Sequence, residues 1–304
     1  MQEVTKHHVG IGGWEHDLLN DCFYPDPEAS SARKLAYYAR WFNAVEVRAT
    51  FWDETLSVVD AAEWLDAVSE RKDFLFSVKL HSSITHRQSL SGLSSGNLHG
   101  LVDLLHSHGR LGAVLAQFPY SFTNTGTNRQ YLEKLALKFA GHPLHIELRH
   151  TSWDYPGLYP LLSELKAGPV NVDMPRIRQF IPYLPRTVGS QAYLRLHGRN
   201  EKGWLLNTFD GRYDYLYNSR EMQEIRRRIY ALPQTCSRVL VIWNNVTNGK
   251  AVANGLQCMA MLRSTGAIPA PPAAVRAFPW LKEMVRTSSG DAPLFGEEAF
   301  RPAI

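Results

Sequence analysis

Eight short apolar runs, each ending in a polar or charged residue, constrain this 304-residue chain more than any other feature. They read VGIGGW (Val9–Trp14), AVEVR (Ala44–Arg48), LFSVKLH (Leu75–His81), GAVLAQF (Gly112–Phe118), LHIELRH (Leu144–His150), PVNVD (Pro169–Asp173), AYLRLHG (Ala192–Gly198) and RVLVIWNN (Arg238–Asn245). Stretches with helical spacing separate most of them. Strands that alternate with helices pair in parallel through right-handed crossovers. Eight such units close into a (β/α)8 barrel of the TIM type, where chemistry gathers at the C-terminal ends of the strands. The residues that end each run are therefore the candidates for function.

The segment Ser31–Phe42 places Leu35, Tyr38, Ala39 and Phe42 at i, i+3, i+4 and i+7, with Ser30 or Ser31 available as a cap. Comparable helices are predicted near Val58–Ser69, Leu98–His108, Asn128–Phe139, Pro156–Lys166, Ser219–Tyr230 and Val252–Leu262. One crossover breaks the pattern. Between Asp173 and Ala192 the chain reads MPRIRQFIPYLPRTVGSQ, with Pro175, Pro182 and Pro185 and no clean period. The sixth crossover is therefore expected to be largely non-helical, a loop long enough to be functional or lid-like. Residues 1–263 read as a single barrel domain. Residues 264–304 read as a short Pro-rich C-terminal extension that packs on the barrel or frays, and not as a second domain. IPAPPAAV cannot continue a helix, and Phe278–Val285 could form one short helix before an irregular end.

Side chains alternate along a strand. In LHIELRH, Leu144, Ile146 and Leu148 oppose His145, Glu147 and Arg149. In FSVKLH, Phe76, Val78 and Leu80 oppose Ser77, Lys79 and His81. In AYLRLH, Leu194 and Leu196 oppose Tyr193, Arg195 and His197. Val45 and Val47 oppose Glu46 and Arg48, and Asn171 and Asp173 share a face. With the aliphatic sets turned to the helices, Glu46, Lys79, Glu147, Arg149, Asp173, Arg195 and His197 converge at the barrel mouth. Such charges persist inside a barrel only as a paired network or as the lining of a wet pocket. An antiparallel sheet with one solvated face alternates in the same way, but the intervening helices argue against it.

Hydrophobic residues make up 44% and charged residues 20%, the range of a soluble globular protein. No run is long enough to span a bilayer, and MQEVTKHHVG lacks the apolar segment of a secretory signal. Cys22, Cys236 and Cys258 lie scattered without CxxC spacing, which points to a reducing cytoplasm and buried, inert thiols. The net charge of +4 favours an anionic ligand, a phosphate ester or nucleic acid among them. The longest basic run, Arg226-Arg227-Arg228, falls in a predicted helix and reads as a solvated face.

At these residues the chain resembles the domain-of-unknown-function family 72, the YecE-like proteins. The resemblance covers roughly Val9 to Arg263. It rests on IGGW with FYP (Phe23–Pro25), LAYYARWFNAVEV with Thr50-Phe51, FSVKLHSSITH, LAQFP, IELRHTSW, YLRLHGR and Asn244-Asn245 with Gly249, in this order and spacing. It implies a β/α barrel and places the pocket residues, but names no reaction. The Pro-rich C-terminal extension lies outside the family pattern, and two departures stand out within it. Where the family commonly has Asn and then Ser before Thr-Phe-Tyr, this chain has Arg48, Ala49 and Thr50-Phe51-Trp52. His81 stands where an apolar or small residue is usual.

Two functions follow as expectations. The first is an enzyme acting on a small phosphate- or carboxylate-bearing polar substrate by acid/base chemistry. Glu147 and His197 would be catalytic, beside a titratable His86. Lys79, Arg149 and Arg195 would bind the anion; Glu46, Asp173, Gln117, Asn244 and Asn245 would supply polar contacts, and Trp14 a wall, with Tyr24, Trp153 and Trp243 as further wall candidates. The second is a non-catalytic ligand- or nucleic-acid-binding protein; no membrane partner is expected. Each residue also has a structural reading: an ion pair for Glu147 and Arg149, a loop cap for His86, core packing for Trp153 and Trp243. No cofactor is predicted. Glu46, Glu147, Asp173 and His197 could hold a divalent metal, although Lys79, Arg149 and Arg195 would repel it. A lysine on a barrel strand can also form a Schiff base.

Overall fold

The computed structural model describes residues 5–93, 96–177, 180–183, 186–206, 208–263 and 267–288. Eight parallel strands close into a barrel in chain order. They are β1 (Lys6–Gly12), β2 (Ala44–Val47), β3 (Leu75–Lys79), β4 (Leu111–Gln117), β5 (Leu144–Glu147), β6 (Gly168–Asp173), β7 (Gln191–Leu196) and β8 (Arg238–Trp243). The helices are α1 (Ser31–Tyr38), α2 (Val58–Ala67), α3 (Ser82–Thr85), α4 (Asn97–Ser107), α5 (Gly126–Lys138), α6 (Leu158–Glu164), α7 (Glu201–Leu206), α8 (Phe209–Tyr213), α9 (Ser219–Tyr230), α10 (Lys250–Leu262) and α11 (Pro272–Ala277). Every predicted strand and helix is present. Several strands stop one or two residues before the end of their run, which leaves Arg48, His81, Arg149, His197 and Asn244 at the rim.

Local chemistry sets the boundaries. The Ser30 side chain accepts from the Arg33 amide to start α1. Ser57 with Asp60, and Asn218 with Glu221, form capping boxes on α2 and α9. Apolar side chains on the outer strand faces, such as Val45, Val78, Ile146 and Leu194, join the helices in one large core. A smaller inner core fills the barrel with Ala44, Ala113, Leu115, Val170, Val172, Tyr193, Leu240 and Ile242.

The sixth crossover contains no helix among its described residues. It reverses the faces of β6 relative to the expectation. Val170 and Val172 are paired in register with Tyr193 and Arg195, and point inward with them. Asn171 and Asp173 face outward. The cause is the missing helix. The Asn171 amide bonds both backbone groups of Arg186, as a neighbouring strand would, because the crossover covering this face brings bare polar backbone where an apolar helix face would otherwise lie.

The Pro-rich segment also differs from its expectation. Pro272 begins the short helix α11, as proline can at a position that needs no amide donor. The short helix expected within Phe278–Val285 forms as a tight 3-10 helix, Pro279–Glu283. Strands β9 (Ile268–Ala270) and β10 (Val285–Thr287) pair in parallel, and Ile268, Ala274 and Leu281 are buried against the barrel core. The expected irregular end lies outside the described residues. All three cysteines are free and buried. Among the described residues no helix is long and apolar enough to cross a membrane.

Four buried histidines make stability depend on pH. Burial holds His7, His8, His145 and His197 down to about 4 from 6.5. Between these values the unfolded chain takes up protons that the fold refuses, so stability falls as pH drops. Each imidazole contributes at most about 1.4 kcal/mol per pH unit in that window. The melting temperature should fall steadily from pH 6.5 to 4, and less steeply for His145→Gln. A flat profile would contradict this account.

Candidate functional site

Arg195 sits at the centre of the barrel mouth and is 1% exposed. β7 presents Tyr193, Arg195 and His197 to the interior. Arg195 Nε donates to Glu46 Oε2 at 2.7 Å and Nη2 to Glu46 Oε1 at 2.8 Å, a bidentate pair. Nη1 donates to Glu147. The Tyr193 hydroxyl donates to Glu46 Oε2 at 2.9 Å, with Ser77 Oγ 2.7 Å from the same phenol. Arg149 reaches Glu147 Oε1 through Nε and Nη2, both at 2.8 Å. His197 Nε2 lies 3.5 Å from the same oxygen. Asn244 Nδ2 lies 2.9 Å from His197 Nδ1; with the amide as donor there, the imidazole proton sits on Nε2, toward Glu147.

This lattice sets the protonation states. Burial alone would raise the Glu147 carboxyl, but Arg195 and then Arg149 outweigh it and hold the group well below the usual range. Burial likewise opposes ionisation of Glu46, and Arg195, Lys79 and Arg48 reverse the outcome. His197 is kept neutral by burial and by Arg195.

Lys79 lies beside the lattice and outside it. Its Nζ is 3.7 Å from the Phe51 ring centroid and 6.0 Å from that of Trp52. Burial, then Arg195, push its pKa well below the ordinary lysine value; Glu46 opposes this, and Arg48 and Arg149 add to it. The loop after β2 is pinned to β3 by Thr50 Oγ1, which donates to the Lys79 carbonyl at 2.6 Å. Arg48 donates to the Gly12 carbonyl at 3.3 Å and meets His16 Nε2 at 2.9 Å. Gly12 explains part of the IGGW motif: a Cβ there would stand 2.3 Å from Asn244 Oδ1 and 3.2 Å from Arg48 Cδ. Over the mouth, Trp204 of α7 lies against Arg149, Phe180, His197 and Tyr213.

The structure brings together Glu46, Lys79, Gln117, Glu147, Arg149, Arg195, His197 and Asn244. Gln117 is next to Glu147 in the β4–β5 register and donates to the Phe118 carbonyl. Three expected residues lie elsewhere. Asp173 follows the reversed face of β6 and binds Arg199 and the Tyr217 hydroxyl near α9. Asn245 points outward to the Tyr215 carbonyl and Asn254, satisfying buried polar groups. Trp14 packs edge-on against Trp64 in the outer core, its indole on Ser31. Tyr24, Trp153 and Trp243 are core as well. The four donors considered for a metal do not converge, since Asp173 is outside and Arg195 separates Glu46 from Glu147. No cluster of three or more His, Cys, Asp or Glu side chains among the described residues could hold a metal ion. Sequence reasoning missed Phe51, Trp52, Phe180, Trp204 and Tyr213, which sit on loops and short helices without strand parity to point to them.

A closed β/α barrel with a buried Arg–Glu lattice under an aromatic rim is thus the class to which this protein belongs. The chain is a member of the DUF72 family, "Protein of unknown function DUF72", whose model matches residues 8–276. The match runs beyond Arg263 and takes in the Pro-rich segment that was expected to fall outside the family pattern. The chain is 31% identical over 274 residues to UPF0759 protein YunF of Bacillus subtilis, across 84% of this chain and 94% of that protein. A DUF72 crystal structure from Thermotoga maritima superposes with a TM-score of 0.72 at 29% identity, covering 84% of this chain and 98% of that one. One from Enterococcus faecalis superposes with a TM-score of 0.73 at 28% identity, covering 84% and 95%.

Removing the central cation should expose the cost of the lattice. Arg195→Met leaves buried Glu46 without a cation and Glu147 with Arg149 alone, and stability should fall by about 3–5 kcal/mol. Arg195→Lys restores charge but not the planar fork, and most of the loss should remain. Urea unfolding measures both; a loss under about 1 kcal/mol for Arg195→Met would show that Glu46 and Glu147 do not depend on it.

Proposed function

We propose that the barrel mouth is an enzyme site for a small molecule bearing a phosphate or carboxylate. The supporting observation is a charge imbalance. Three arginines, Arg48, Arg149 and Arg195, meet two carboxylates, Glu46 and Glu147, at the strand ends, with the Lys79 amine beside them. Asp173, which would have reduced the excess, is on the outer face. Excess positive charge in a poorly hydrated site is costly, and an anion relieves it. Arg149, with an 11% exposed side chain, and Lys79, whose Nζ donates no hydrogen bond to any described residue, are the groups that would meet one. Trp52, 59% exposed, supplies a wall.

The geometry supports a different division of labour among the expected catalytic residues. Glu147 has both oxygens engaged and is held as an anion, so it acts as a positioning residue for Arg149 and His197. His197 has Nδ1 occupied by Asn244 and is likewise a positioning residue. Proton transfer falls to Lys79 and the rim imidazole His86, whose ring is 5.0 Å from Phe51. A nucleic-acid groove has less support: in the Arg226–Arg228 run, Arg226 is spent on the Met261 carbonyl and Arg228 on the Tyr183 carbonyl and Glu224.

A thermal-shift screen of inorganic phosphate, sugar phosphates, nucleotides and carboxylic acids tests this reading. Anions should raise the melting temperature, and Arg149→Ala should weaken binding by about 1.5–3 kcal/mol. An anion favours the Lys79 ammonium, so binding takes up a proton. Affinity should fall as pH rises through the depressed Lys79 pKa, by up to about tenfold per unit. Stabilisation by a neutral ligand or a divalent metal, with none by any anion, would refute the proposal.

A further inference from the structure

Each of the other inward-facing charges at the mouth has a hydrogen-bonded partner. Glu46 and Glu147 are taken by Arg195, Arg149 and Tyr193. Lys79 is not part of this set. It is 8% exposed, and its Nζ donates no hydrogen bond to any described residue. A lysine used only for structure would be expected to pair with a carboxylate; this one rests on the face of Phe51, on the inner side of β3 at its C-terminal end, among three arginines.

We infer that Lys79 is a covalent amine that condenses with the carbonyl group of a small anionic aldehyde or ketone, a 2-oxo acid being the simplest. The inference rests on the anion-site reading above and names the substrate class. The carboxylate would be met by Arg149, which sets the carbonyl carbon near Nζ. The Lys79 nitrogen lone pair forms the new C–N bond. The carbonyl π pair moves to oxygen, which takes the proton lost from nitrogen, giving a carbinolamine. The nitrogen lone pair then expels that hydroxyl, which leaves as water with a second proton. The product is a protonated imine, so amine plus carbonyl plus one proton become iminium plus water, with no oxidant or reductant needed. His86, edge-on to the same Phe51 ring, is the rim imidazole nearest in these contacts; burial and then Lys79 hold it down to about 4, so it would serve as a neutral base.

The electrostatics agree with this chemistry. Condensation needs the free amine, and a buried lysine beside other cations is activated in this way. Burial and the neighbouring arginines favour the neutral form of Lys79 before the ligand arrives. The iminium restores the positive charge at nitrogen, now facing the carboxylate that the ligand itself brought.

The test is reductive trapping. The full chain is incubated at pH 7 with sodium cyanoborohydride and either pyruvate, glyoxylate or acetone, and the labelled lysine is located by peptide mass mapping. Pyruvate and glyoxylate should label Lys79 at least about tenfold faster than any other lysine, since each unit of lowered pKa gives tenfold more free amine. Lys79→Arg should lose this label, and neutral acetone should react much more slowly. Inorganic phosphate should protect Lys79 in the wild type. If Lys79 is labelled no faster than surface lysines while phosphate still raises the melting temperature, the imine is refuted and the anion site stands. If acetone labels Lys79 as fast as pyruvate, the anionic substrate class is wrong. If no anion shifts the melting temperature, the underlying site reading fails with it.

Discussion

The guanidinium of Arg195, held between Glu46 and Glu147, is the interaction on which the barrel mouth depends. It joins β2, β5 and β7 across the interior with no water-exposed partner. Taking three charges out of water is expensive, and the arrangement holds because the geometry is bidentate on one side and the remaining lone pairs are satisfied. Tyr193 and Arg149 complete those lone pairs, and His197 closes the ring with Asn244. Most TIM barrels fill this level with branched aliphatics. Here the inner aliphatics, Ala113, Leu115, Val172, Leu240 and Ile242 among them, share the interior with the lattice, Val172 and Ile242 standing beside Arg195 in the strand register.

The lattice decides what is left over for chemistry. By engaging both carboxylates it removes them as bases and leaves the amine of Lys79 without an acidic partner. Arg48 deepens the imbalance. The missing side chain at Gly12 of β1 makes room for Arg48. The aromatic cover of Phe51, Trp204 and Tyr213 limits water at the rim, which strengthens every charge beneath it.

Strand parity was a good guide wherever a helix covers the strand. In β2, β3, β5 and β7 the outer face meets apolar helix surface, so alternation alone put Glu46, Lys79, Glu147, Arg149, Arg195 and His197 at the mouth. It misled at β6, where the same proline-rich crossover that was read as non-helical supplies polar backbone to the outer face. Asn171 and Asp173 turned outward to meet that backbone and Arg199. The two observations were one fact, and the second follows from the first. Trp14 lies two residues past the end of β1 and is no longer bound by its alternation, whereas Asn245 kept the alternation of β8 and shares the outer face of Val241 and Trp243.

By itself, the sequence determined the number of barrel strands, their order, the broken sixth crossover and, outside β6, the inward charges, because these follow from period and from proline's missing donor. Tertiary structure alone decided which charges pair. In the sequence Glu147 is the leading acid/base candidate and Lys79 an anion binder, yet Glu147 ends saturated by two arginines and Lys79 solitary against Phe51. That difference comes from ångström-scale distances between strands far apart in the chain, set by barrel closure, which no local pattern encodes.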